Sequence, residues 1–143
     1  MKVPSFQGCT MIIDASVAVP WLIDTPFAPA ARRLRSQLGR APSLILTETT
    51  NSLLKYFRVG QITEADIEHG IKSLSAAMHE IIDDVKLLPA ATKIAAASNH
   101  KIYDCLYLAL ALDRREPLAT ADLRLATLAQ KLNIETHLIE PAL

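Results

Sequence analysis

Three acidic residues in this 143-residue chain stand where hydrophobic segments end, and a fourth stands where one begins. Asp14 follows "MII", Glu48 comes two residues after "SLIL", and Asp122 follows "PLATA" just after the hydroxyl of Thr120. Asp104 opens the apolar run "YDCLYLALALDRR". Burying a carboxylate without a partner is costly, so each acid needs a reason to be there. Singly, each has a plain one: Asp14, Asp104 and Asp122 fit helix caps, and Glu48 an exposed first-turn acid. Jointly they mean more, provided the fold brings those ends together. Four carboxylates within a few ångströms repel strongly enough to force some to protonate, and a divalent cation resolves this. Oxygen donors without His or Cys suit a hard ion, Mg²⁺ or Mn²⁺ rather than zinc. Such an ion activates a bound water and offsets charge on a phosphodiester under attack.

The elements that must position these acids can be read from hydrophobic periodicity. "MIID" reads as a short buried strand and "PSLIL", residues 42 to 46, as a second. Between them, "TPFAPAARRLRSQLGR" predicts a helix with Ala31, Leu34 and Leu38 on one face, ended by Gly39. Thr47 is a candidate cap for a helix carrying Leu53, Leu54 and Phe57. Thr63 and Asp66 suggest a capping box ahead of the stripe Ile67, Ile71, Leu74. "EIIDD" is a third strand, followed by a helix with Pro89 at a first turn or kink. After the apolar helix come a strand in "PLATAD", the helix "DLRLATLAQKLN" and an edge strand in "ETHLIE". Alternating strands and helices predict a parallel sheet covered on both faces. Ligands bind such sheets beyond the carboxyl ends of the strands, where strand order reverses. That is where the four acids should converge.

Composition narrows the function classes. Lys plus Arg and Asp plus Glu number 15 each, so no net field draws the chain to nucleic acid or acidic lipid, and an anionic partner must be recognised locally. The cluster Arg32, Arg33, Arg35 and Arg40 reads as a solvated helix face. Cys9 and Cys105 have no zinc-site spacing and fit a reducing compartment. No stretch approaches the length of a membrane span, and residues 1–10 read as a leader ahead of one domain over residues 11–143.

The segments "IIDASVAVPWL", "LTETTNSLL", "YDCLYLALA" and "LATADLRL" resemble the four motifs of the PIN-domain nucleases, particularly the VapC-type toxins of toxin–antitoxin pairs. The resemblance implies a three-layer α/β/α sandwich with a central, mostly parallel sheet. It further implies a cytoplasmic, homodimeric endoribonuclease using Mg²⁺ or Mn²⁺ on RNA. A cognate antitoxin would block the acidic groove, with an arginine reaching the carboxylates. On the family pattern Asp14 and Asp104 correspond to the acids contacting metal. Glu48 and Asp122 match the second and fourth acids, ligands through water or orienters of the attacking water. Thr120 matches a hydroxyl that holds a carboxylate or ligand water, Asn51 a supporting polar position, and Ser16 a residue facing the site. Thr49 and Thr50 depart from the pattern, which more usually has apolar residues after the second acid.

Other residues read more plainly. His69, His79, His100 and His137 share no helical face and are expected at the surface; Trp21 is expected in the core or at a partner contact. Arg58, Arg114, Arg115 and Arg124 follow motif segments and are candidates for phosphate. Tyr103, Leu106 and Leu110 are expected in the core or a dimer interface. A phosphatase with an aspartate nucleophile after the first strand would need a second Asp where Ser16 stands. A receiver domain would need paired acids and a strand-end Lys, whereas Lys131 lies in a helix. The non-enzymatic alternative is a PIN-like module that has lost activity and serves binding or scaffolding.

Overall fold

The computed structural model describes residues 9–143. A leader over residues 1–10 therefore lies outside the described residues up to residue 8, while Thr10 already begins the first strand, β1, Thr10–Ile13. The chain continues through α1, Ala15–Leu22, and α2, Ala28–Arg33, to β2, Leu38–Pro42. Next come α3, Leu44–Arg58, α4, Glu64–Ala77, and β3, Glu80–Ile82. Two long helices, α5, Asp84–Ser98, and α6, Ile102–Arg114, precede β4, Leu118–Thr120. The described chain then forms α7, Leu123–Lys131, and β5, Thr136–Leu138.

All strand pairs are parallel, in the order β3-β2-β1-β4-β5, with β5 at an edge as expected. Right-handed crossovers put α1 to α4 on one face and α5 to α7 on the other, giving three layers. The order reverses between β1 and β4, so the crevice beyond their carboxyl ends is the switch point. Ile12, Ile13, Leu118 and Ala119 are fully buried there, between helices on both faces. The α6 helix is nearly all core from Cys105 to Ala111, as its unbroken apolar run demands, although Tyr103 is exposed. Trp21 is core as well, its Nε1 donating to the Ala31 carbonyl at 2.7 Å and tying α1 to α2.

The second strand lies four residues earlier than the sequence suggests, at 38–42 and not 42–46. Leu44, Ile45 and Leu46 form the first turn of α3, because so short an apolar run has no period to separate strand from helix. Gly39, expected to end a helix, pairs with Met11 inside the sheet, where an added Cβ would stand 3.0 Å from Ile13 Cγ1. The preceding helix ends at Arg33 in a 3₁₀ turn, Leu34–Ser36, and Leu38 belongs to β2. Thr47 is consequently inside α3 and caps nothing. The α3 start is held from elsewhere: the Leu44 N–H donates to the Asp84 carboxylate at 3.0 Å, and the Asp84 N–H to Ser43 Oγ at 3.2 Å. The Thr63–Asp66 capping box of α4 is present, with bonds of 3.1 and 2.8 Å. Pro89 sits in the second turn of α5.

Candidate active site

Asp14, Glu48, Asp104 and Asp122 line one cavity of about 600 Å³. Four separate elements deliver them. Asp14 is the residue between β1 and α1; its carbonyl accepts the first helical N–H bonds but its side chain makes no capping bond, so capping does not explain it. Asp104 lies in the first turn of α6, where Lys101, not Asp104, is the cap residue; the helix amino terminus favours its charge. Glu48 enters one turn into α3 and not directly from a strand end, a consequence of the shifted β2. Asp122 is the one acid that does cap, its Oδ1 accepting from Arg124 N at 2.9 Å and Leu125 N at 3.4 Å.

Asp14 is 7% exposed, and two hydroxyls converge on the same oxygen: Ser16 Oγ and Thr120 Oγ1 each donate to Oδ2 at 2.7 Å. The Thr120 hydroxyl also accepts the Asp122 N–H at 3.0 Å, and Ser16 Oγ the Ala121 N–H at 2.8 Å. These bonds sew the end of β1 to the turn after β4. Burial pushes the Asp14 carboxyl above its usual range; the two hydroxyls pull it back, and the Asp104 charge raises it further. Burial likewise raises Glu48, to about 6, with the Asp14 and Asp104 charges adding and a bond from Tyr107 opposing.

Three residues around the acids escaped the sequence reading. Tyr107, three residues after Asp104, is fully buried and donates its hydroxyl to Glu48 Oε1 at 2.7 Å. Burial first, then the Asp14 and Glu48 charges, hold this phenol well above 10, so it remains a donor. His100, expected at the surface, instead places Nε2 2.9 Å from Asp104 Oδ2. Its spacing of four residues before Asp104 was the available signal. Lys55, two helical turns after Glu48, lines the cavity together with the expected Asn51 and Ser16. Arg114, a phosphate candidate, is engaged elsewhere by two hydrogen bonds donated to Glu80, and Arg40 lies in β2 between Glu80 and Glu116 and not on a solvated helix face.

Among the described residues no group of three or more His, Cys, Asp and Glu stands close enough together to hold a metal ion. The donor set nevertheless fits a hard cation: carboxylates and hydroxyls, with three acids each raising or raised by another's charge. Of the four acids only Asp14 is buried, while Glu48 and Asp104 are half-buried.

An acid-lined crevice at the switch point of a doubly covered parallel sheet stands where such folds bind their ligands. The chain belongs to the PIN domain family, whose model matches residues 11–131. PIN domains are generally nucleases acting on phosphodiester bonds, and they generally use divalent metal ions. No curated protein matches the sequence. Among solved structures, a protein of Pyrobaculum aerophilum is similar with a TM-score of 0.68 at 18% identity, covering 93% of this chain and 92% of that one. A toxin–antitoxin complex from Klebsiella pneumoniae gives 0.61 at 16% identity, covering 78% and 86%. VapBC2 from Rickettsia felis, bound to a DNA fragment from its promoter, gives 0.64 at 14% identity, covering 92% and 99%. At these identities the likeness concerns the fold.

Proposed function

We propose that this protein is a metal-dependent endoribonuclease, using Mg²⁺ or Mn²⁺, and the toxin of a type II toxin–antitoxin pair. The observation that carries the reading is the convergence of Asp14, Glu48 and Asp104 on one cavity with Asp14 and Glu48 raised by burial and mutual repulsion. Asp14 and Asp104 would hold the ion, which when bound lowers the pKa of a water and offsets charge on the phosphodiester. Thr120 and Ser16 fix the Asp14 carboxylate. Glu48, near 6 and steadied by Tyr107, is suited to orient the attacking water and accept its proton near neutral pH. Asp122 supports the site while capping α7.

The toxin assignment draws on the VapBC2 and Klebsiella complexes among the structural relatives. In this reading an antitoxin covers the acidic cavity and reaches its carboxylates with an arginine, and the toxin acts as a homodimer in the cytoplasm. Among the described residues no helix is long and apolar enough to cross a membrane.

Two measurements test this. Purified protein should cleave RNA in Mg²⁺ or Mn²⁺, and Asp14→Asn and Asp104→Asn should not; undiminished cleavage by either variant defeats the assignment. Millimolar Mg²⁺ or Mn²⁺ should also raise the melting temperature, since an ion binding only the folded state stabilises it. No shift with either ion would favour an inactive scaffold. Sequencing 5′ ends of cellular RNA after expression of wild type and Asp14→Asn would identify the target.

A further inference from the structure

The cavity is built in two halves, and only one contains acids. Along α3 the residues facing it are Glu48, Asn51, Ser52, Lys55 and Tyr56, at spacings of three and four that make one continuous stripe. Lys55 lies ~10 Å along the helix axis from Glu48 at 1.5 Å per residue. The same cavity is lined by Val19 and Pro20 of α1 and by Pro26 and Phe27 of the following loop. Phe27 and Tyr56 are half-buried, and among the described residues Lys55 is the only cation lining the cavity. An ion and one phosphate leave most of about 600 Å³ unfilled.

We infer that the far half is a subsite for the unpaired nucleotide next to the scissile phosphate, its base against Phe27 and Tyr56 and its phosphate on Lys55. The inference rests on the proposed RNA cleavage and specifies which RNA fits. A chain with no net charge gathers RNA by local contacts, and this is the one cation sharing a cavity with the acids. Aromatic faces accept any base, but only one splayed out of a helix, so the subsite selects single-stranded segments over duplex. Asn51 and Ser52, between the two halves, offer an amide and a hydroxyl at the height where a base edge or 2′-hydroxyl would pass.

The test is binding of a short fluorescent single-stranded RNA in EDTA, followed by anisotropy across a salt titration, with a duplex of the same sequence alongside. Phe27→Leu and Tyr56→Leu keep apolar bulk and lose the ring face; each should weaken single-strand binding about tenfold and leave duplex binding unchanged. Lys55→Gln should lower the slope of log K against log salt by about 0.7. Should Phe27→Leu melt early, Tyr56→Leu and Lys55→Gln decide the matter. Wild-type affinity and slope in folded variants, or equal losses on duplex, overturn the proposal and leave that wall to a protein partner. Binding in EDTA needs no cleavage. Failure of the nuclease reading would appear in the Asp14→Asn assay, and failure of the subsite only in the anisotropy.

Discussion

Two clusters of charge sit at opposite ends of the same sheet and are built in opposite ways. At the end where strands begin, Arg40 bonds Glu80 at 2.9 Å and also pairs with Glu116, while Arg114 grips Glu80 through two nitrogens at 3.0 and 3.1 Å. Each acid there has a guanidinium, and Arg114 and then Arg40 hold the Glu80 carboxyl below its usual range. At the end where strands finish, Asp14 and Glu48 receive only neutral hydroxyls, from Ser16, Thr120 and Tyr107, and both are pushed up. The first cluster has its charges paired as folded, with only Glu116 Oε2 buried and lacking a hydrogen bond. The second is short of positive charge, the condition under which acids are kept for something that arrives later.

The sharpest break of this contrast is to neutralise one acid in each cluster. Asp14→Asn preserves shape and removes a buried charge, so RNA cleavage should fall roughly a thousandfold or more, the loss of several kcal/mol of charge stabilisation. Metal-free stability should hold or rise, because repulsion with Asp104 is relieved. Cleavage gels and thermal melts without metal read both. At the other end the pattern should invert. Arg40→Met would leave Glu116, whose side chain is 8% exposed, without its cation, and should cost about 3 kcal/mol in urea unfolding. Cleavage below the melting transition should be unchanged. A variant at either end that moved both properties would erase the distinction.

The two ends also differed in how much the sequence disclosed. All four acids of the cavity were legible because each follows or opens an apolar run, and parallel topology turns that pattern into proximity. The route by which Glu48 arrives was not: "LIL" has no period long enough to separate strand from helix, and Gly39 looked like a helix stop when neighbouring Ile13 and Met78 were what required it. Tyr107 was hidden inside the apolar run that correctly predicted a buried helix, since burial does not say which polar atom finds a partner. The Arg40 network was invisible because its members are 40 and 76 residues apart in the chain and meet only through strand register and a loop. Long-range pairing of charges has no local signature, whereas a carboxylate at a strand end does.

A smaller effect sharpens the role of the neutral donors in the acidic cluster. Tyr107→Phe keeps the ring in the core and deletes the bond to Glu48 Oε1. Cleavage should drop ~10–100-fold, the usual cost of losing an outer partner of a metal-site residue, with little change in melting temperature. A wild-type rate in this variant would mean that Glu48 is held by packing alone.

The smallest expected effect is on pH dependence. Glu48 has a folded-state pKa raised from 4.5 to about 6, so over that interval the native protein holds more protons than the unfolded chain. Stability of the metal-free protein must then rise as pH falls from about 7 to about 5, and Asp14, raised in the same direction, adds to the trend. Glu48 keeps contact with solvent, so its share is about 1 kcal/mol, less than its full shift would give. Groups held low, Asp66 and Glu80, lose their contribution as pH falls through and below the ordinary carboxylate range, so they oppose the trend only at the acid edge of this window. Urea midpoints should follow this slope in EDTA, and Glu48→Gln should flatten it. Added Mg²⁺ should turn the slope around, because ion binding requires the same carboxylates ionised and strengthens as pH rises. A pH response surviving Glu48→Gln undiminished would place the uncompensated charge somewhere other than the cavity.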